Sequence, residues 1–179
     1  MIFIFGTFPP PIHGMSSVNE KLHKQLIAHG FDVKKINTSP STLNRDLTTL
    51  SLRWLPLIKG WLFLLFKLKK EDTLYLAPSA GWGQVYDIVT VLIAKLKNIQ
   101  KLLIHHHSFK YLEQVNFINR IFFSLTKNTS THIVLCEEMA KKLHATYQGH
   151  QAFVLSNFSI LFQNNLIETE KVRQQKDGY

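Results

Sequence analysis

Met1-Ile2-Phe3-Ile4-Phe5, followed by Gly6-Thr7-Phe8-Pro9-Pro10-Pro11-Ile12-His13-Gly14-Met15-Ser16, carries the strongest structural signal in the chain. Five apolar residues form a buried strand. Three prolines forbid both strand and helix through Pro11 and stiffen the loop. Gly6 can leave the strand along a path closed to other residues. Gly14 removes a side chain where a ligand would approach, and Ser16 or Ser17 can cap the helix that runs to Gly30. Strand, glycine/proline loop and helix in this order open a Rossmann-like βαβ unit. Such a loop presents backbone N–H groups and a helix N-terminus to something anionic. The spacing is not the three-glycine dinucleotide fingerprint, and no Gly-Lys-Ser/Thr comes after it to make a P-loop.

Outward from that unit the pattern repeats. Apolar runs over 2–5, 32–36, 73–77, 101–105, 132–135 and 152–155 read as strands, and the segments 16–29, 50–70, 84–96, 110–127 and 137–147 read as helices. A Ser/Thr/Pro/Asn-rich loop is expected over 37–47. Alternating strands and helices predict an α/β fold, a Rossmann-like parallel sheet of about six strands with helices on both faces. Ligands of such sheets sit beyond the carboxyl ends of the strands. Five segments therefore converge: Gly6 to Gly14, Pro78 to Gly83 with Gly81 and Gly83 as its glycines, His105 to Phe109, Cys136 to Glu138, and Ser156 to Phe158. The domain is expected to span 1–158. Residues 159–179 are increasingly polar and read as a linker or tail.

The chain of 179 residues is long enough for one packed domain, and its 45% apolar and 18% charged residues are globular in balance. One cysteine excludes an internal disulfide framework and fits a reducing, cytoplasmic compartment. The apolar start lacks a basic leader and is stopped at once by prolines, so no signal peptide is expected. Net charge is +9, from 21 basic and 12 acidic residues, which favours encounter with anionic surfaces. No RNA-binding aromatic motif, helix-turn-helix or zinc ligand set accompanies that charge, so nucleic acid is not the expected partner. The segment from Arg53 to Lys70 has an unbroken apolar run only over Trp61–Phe66, far short of the ~20 residues a spanning helix needs. Its tryptophans at 54 and 61 and lysines at 59, 67, 69 and 70 suit a helix at the inner face of a membrane; a helix packed on the sheet with snorkelling lysines is the plainer reading.

His105-His106-His107 invites a metal. Neighbours on a strand point to opposite faces, so only His105 and His107 share a side. Two histidines without an acidic or cysteine ligand nearby make a weak zinc case, and metal binding is the less favoured option. A histidine at a central strand exit is better placed to hydrogen-bond a sugar hydroxyl or a phosphate.

The first loop resembles that of the family 4 glycosyltransferases of the two-domain GT-B fold, where Gly…Pro-Pro…Gly-Gly comes after the opening strand. Gly6, Pro9, Pro10 and Gly14 fit that form, with His13 where the first closing glycine would stand. The likeness continues in order: a histidine at the fourth strand's end followed by a small residue (His107-Ser108, with His105 its rival), a strand delivering Cys136-Glu137 into a helix, and a strand ending in Asn157. The resemblance implies half of a GT-B fold. That half would bind the acceptor in metal-free, cofactor-free transfer from a nucleotide sugar, in polysaccharide or glycolipid synthesis. His107 or His105 would lie near the reacting sugar, with Gly6, Pro10, His13, Gly14, Ser108, Cys136, Glu137 and Asn157 around the substrate. In the family the donor is held mainly by a second domain, which is expected to be absent here, the chain being a fragment or a subunit. A non-catalytic Rossmann-like module binding an anionic ligand or membrane is the alternative.

Overall fold

The computed structural model describes residues 1–39, 54–148, 150 and 152–161. The expected loop from residue 40 on, the expected helix start over 50–53 and the tail beyond 161 lie outside the described residues. Within them the elements run β1 (Ile2–Gly6), α1 (Gly14–Ala28), β2 (Val33–Asn37), α2 (Trp54–Lys67), β3 (Thr73–Leu76), a 3₁₀ turn (Gly81–Gly83), α3 (Gln84–Leu96), β4 (Lys101–His105), α4 (Lys110–Glu113), α5 (Phe117–Thr126), β5 (Ser130–Val134), α6 (Glu137–Thr146) and β6 (Ala152–Val154). Every strand pairing among them is parallel, in the order β2-β1-β3-β4-β5-β6. The α/β, Rossmann-like reading of the sequence is the architecture observed.

That order dictates the layers. From β1 the chain steps one way to β2, and from β2 onward it steps the other way; with right-handed crossovers, α1 must lie on one face and the later helices on the opposite one. The packing agrees. Phe3, Phe5, Leu74, Leu76, Leu102 and Ile104 point to the face covered by Leu57 and Leu64 of α2, Val91 of α3, Phe122 and Phe123 of α5, and Met139 and Leu143 of α6. Ile4 and Tyr75 point the other way, toward Met15, Leu22 and Leu26 of α1. Residues of alternate parity on β1, β3 and β4 thus fill two separate cores, as the two-residue period of a strand requires.

Local chemistry sets the boundaries. Helix α1 starts at Gly14 because His13, not Ser16 or Ser17, is its N-cap: His13 Nδ1 accepts from the Ser16 amide at 3.4 Å while Ser16 Oγ accepts from the His13 amide at 2.9 Å. It ends where Gly30 adopts φ +81°, a left-handed turn that glycine makes without strain. The continuous helix expected over 110–127 is two helices. The first ends at Glu113 with Gln114 as its C-cap, and Asn116 caps the second, exchanging side-chain and amide hydrogen bonds with Asn119, both at 2.9 Å. Gly60 of α2 lies where an added Cβ would meet Phe5 and Ile36 at 2.9 Å, so the helix approaches the sheet closely there.

Candidate functional site

The reversal of strand order falls between β1 and β3, and a crevice opens where their carboxyl ends part. It encloses about 200 Å³. Gly6, Thr7 and Met15 line it from the first unit, Thr38 from beyond β2, and Ser79 and Asp87 from the β3 side. The first loop is fastened rather than draped. The Phe8 ring is fully buried on the α1 side, and the Phe8 amide donates to Ser39 Oγ at 3.0 Å and to Asn37 Oδ1 at 3.2 Å. Asn19 Nδ2 donates to the Thr7 carbonyl at 3.0 Å, and a Cβ at Gly6 would meet that same Nδ2 at 2.9 Å. Glycine at position 6 therefore lets α1 hold the loop. The amides of Phe8, His13, Ser16 and Ser17 are used within the protein. Thr7 Oγ1 is buried with no partner among the described residues.

Asp87 is the group of this crevice that the sequence reading missed. It is 4% exposed, and its Oδ2 accepts a hydrogen bond from the Ser79 amide at 2.6 Å. The first turn of α3 ought to favour a carboxylate, but burial outweighs both helix and hydrogen bond and raises its pKa to about 7. At neutral pH this carboxyl is present both as acid and as base. The signal was available: an acidic residue one turn into a helix that opens on Pro78-Ser79-Ala80-Gly81-Trp82-Gly83. The two glycines of that loop have structural work. Gly81 holds φ +68°, and a Cβ on Gly83 would come within 2.7 Å of Ser79 Cβ. They shape the turn that aims Ser79 at Asp87.

The three histidines divide as strand parity demands. His106 goes to the face of α5, where Nδ1 meets Tyr111 Oη at 2.8 Å and Nε2 meets His132 Nδ1 at 2.7 Å. His105 and His107 go to the α1 side, their rings 4.1 Å apart. His105 Nδ1 pairs with Tyr75 Oη at 2.7 Å, but its Nε2 and both nitrogens of His107 are buried with no partner among the described residues. Burial holds both neutral, lowering the His105 pKa to about 3 and that of His107 to about 4. The Leu155 backbone lies against His105 and the Asn157 side chain against His107, and each opposes the effect of burial there; neither makes a hydrogen bond of good geometry, and Asn157 Oδ1 is a fourth atom without one among the described residues. Four such buried polar atoms mark a second polar focus, because burying such groups unpaired is costly unless a ligand meets them.

Of the residues singled out from sequence, Gly6 lines the crevice, and His105, His107 and Asn157 form the second focus; neither histidine lines the crevice. The others are distributed around the strand ends. Pro10, His13 and Gly14 are at the surface of the first loop, and a Cβ on Gly14 would meet nothing within 4 Å. Ser108 Oγ accepts from the Lys110 amide at 3.2 Å and starts α4. Cys136 is the N-cap residue of α6 and Glu137 is exposed in its first turn. Among the described residues no group of three His, Cys, Asp or Glu side chains is placed to hold a metal ion. Neither a protein-family model nor a curated protein sequence matches the chain.

Proposed function

We propose that this domain is the acceptor-binding half of a glycosyltransferase that uses a nucleotide sugar. The observation that carries the reading is the crevice at the β1/β3 switch point, where Thr7, Thr38, Ser79 and Asp87 gather hydroxyl and carboxyl groups around about 200 Å³, with Thr7 Oγ1 buried and unpaired among the described residues. A polyhydroxylated ligand suits such a wall, since each of its hydroxyls both donates and accepts. The order of the first loop, the strand-exit histidine, Cys136-Glu137 and Asn157 along the chain supports it further. Asp87, with a pKa near 7, is suited to accept a hydrogen bond from an acceptor hydroxyl and to take its proton. The hydroxyl oxygen then bonds to the anomeric carbon, and the nucleoside diphosphate leaves with the electron pair of the broken bond. His105, His107 and Asn157 offer unpaired groups to a neighbouring part of the substrate.

Saturation-transfer NMR with simple glycosides and with nucleoside diphosphates tests the reading on this chain directly. Glycosides should bind, and both Asp87→Asn and Thr7→Val should weaken them by roughly tenfold, the worth of one well-made hydrogen bond. Glycosides that do not bind, or that bind equally to both variants, would leave the crevice without a sugar. Nucleoside diphosphate binding that rises with the basic charge alone would favour an anion-binding module instead.

A further inference from the structure

Helix α2 is apolar on two sides, and the sheet uses only one. Leu57, Gly60 and Leu64 are buried, whereas Leu55, Ile58, Leu62 and Phe66 are 49%, 43%, 48% and 80% exposed. Steps of three, four and four residues align these side chains in a single stripe. Helix α3 continues it with Leu92 and Leu96, 47% and 71% exposed. An apolar groove of about 420 Å³ runs between the helices, walled by Ile58, Leu62 and Leu65 on one side and Val89, Leu92 and Leu96 on the other. Single exposed apolar residues need no explanation, but a continuous patch of them does.

Charge identifies the occupant. Lys59 accompanies the stripe, Lys67, Lys69 and Lys70 close its far end beside Phe66, and Lys95 adjoins Leu96; all five are exposed and none is in an ion pair among the described residues. Helix α2 carries no acidic residue, and the only one on α3 is the buried Asp87. A second copy of a chain with net charge +9 would bring two lysine rims together. An anionic surface neutralises them. No described helix is long and apolar enough to cross a membrane, so the patch has to lie along a surface. We propose that α2 and α3 dock on the interface of an anionic lipid bilayer, with Leu55, Ile58, Leu62, Phe66, Leu92 and Leu96 entering the headgroup region and the lysines meeting lipid phosphates. This is how amphipathic surface helices bind. The tryptophans that the sequence brought forward are engaged within the protein, although Trp54 is also 43% exposed. Trp61 Nε1 donates to Thr90 Oγ1 at 3.0 Å, and Trp54 stacks edge-on against Tyr86 at 4.8 Å.

Co-sedimentation of the whole chain with phosphatidylcholine vesicles, with and without phosphatidylglycerol, tests the face. Binding should require the anionic lipid and weaken at least roughly tenfold from low to high salt, because exposed charges are screened. Leu62→Asp combined with Phe66→Asp should lower partitioning roughly tenfold or more, and Lys67→Glu with Lys70→Glu by a similar factor. Phe153→Asp, at a 62% exposed site on edge strand β6, should change nothing. Circular dichroism confirms that each variant is folded. No binding, equal binding to both vesicles, or an equal loss in Phe153→Asp would overturn the proposal. So would a dimer in sedimentation that the Leu62 and Phe66 pair of substitutions breaks, which would make the patch an interface between copies. Although α3 also carries Asp87, none of the six side chains of this face lines the crevice, so failure of this proposal leaves the sugar-binding reading standing, and the reverse holds too.

Discussion

At the exit of β4 three consecutive histidines meet two very different surroundings. On the α5 side His106 belongs to a closed chain, Ser130–His132–His106–Tyr111, with successive contacts of 3.0, 2.7 and 2.8 Å. Its ring stacks on that of His132 at 5.0 Å and on Phe123 at 5.7 Å. On the α1 side His105 and His107 are also withdrawn from water, yet three of their four ring nitrogens have no well-made hydrogen bond among the described residues. Identical residues on one short strand exit therefore have a structural side and an unfinished side. A closed network stabilises because every buried polar group is paired. An unfinished one costs stability and persists where a ligand completes it.

The largest expected effect is on stability. His132→Ala removes a ring packed among His106, Phe123 and His150 and takes away the partner of His106 Nε2. Cavity and lost hydrogen bond together should cost about 3 kcal/mol. His107→Ala, which removes two nitrogens without partners, should stay within about 1 kcal/mol. Urea unfolding of the two variants measures the difference, and equal losses would erase the distinction between the sides.

Acid sharpens it. Burial, and for His106 then the neighbouring His132, holds the imidazoles below the ordinary value: His106 well below it, His132 to about 3. Below pH 6.5 the unfolded chain takes up protons that the folded chain refuses, so stability should fall as pH drops from about 6.5 toward 4. The slope is up to about 1.4 kcal/mol per pH unit for each buried histidine. Asp87 acts in the opposite sense. Its folded pKa of about 7 lies above the ordinary 3.8, so it loses stability as pH rises between those values. Several histidines outweigh one carboxyl, and the net profile should still drop in acid. His132→Gln should flatten the drop by one histidine's share, read from urea midpoints across that range; an unchanged slope would mean that the ring is not held neutral by burial.

The smallest effect belongs to the unfinished side. His107→Gln keeps a polar group there and should leave the unfolding midpoint nearly unchanged while weakening glycoside binding severalfold to tenfold. Unchanged affinity with unchanged stability would deprive that side of a ligand.

Several of these features were legible in the residues. The parity of 105, 106 and 107 already separated one histidine from the other two. The strand ends were located by their apolar runs, and the five converging segments came with them. Other features were not legible, for specific reasons. The helix expected over 110–127 is interrupted because Asn116 and Asn119 form a reciprocal cap, and apolar spacing masks such a cap in a segment as apolar as Phe117 to Phe123. His13 displaced the serines as cap because its ring, rather than a hydroxyl, met the Ser16 amide. Asp87 was overlooked because a carboxyl in the first turn of a helix is usually a solvated one.

The class of fold, the parallel sense of the sheet and the places where its strands end were all present in the order of residues. Periodicity and turn residues are local properties and carry those decisions. Which side of α2 is inside was left to tertiary packing, since Leu57 and Leu64 are no more apolar than Leu55 and Leu62. Close approach to Phe5 and Ile36 at Gly60 settles it, and no other residue type would allow that approach without a shift. Tertiary packing also brought His106 onto His132 twenty-six residues away. That pairing depends on strand order, and strand order is a property of the whole chain.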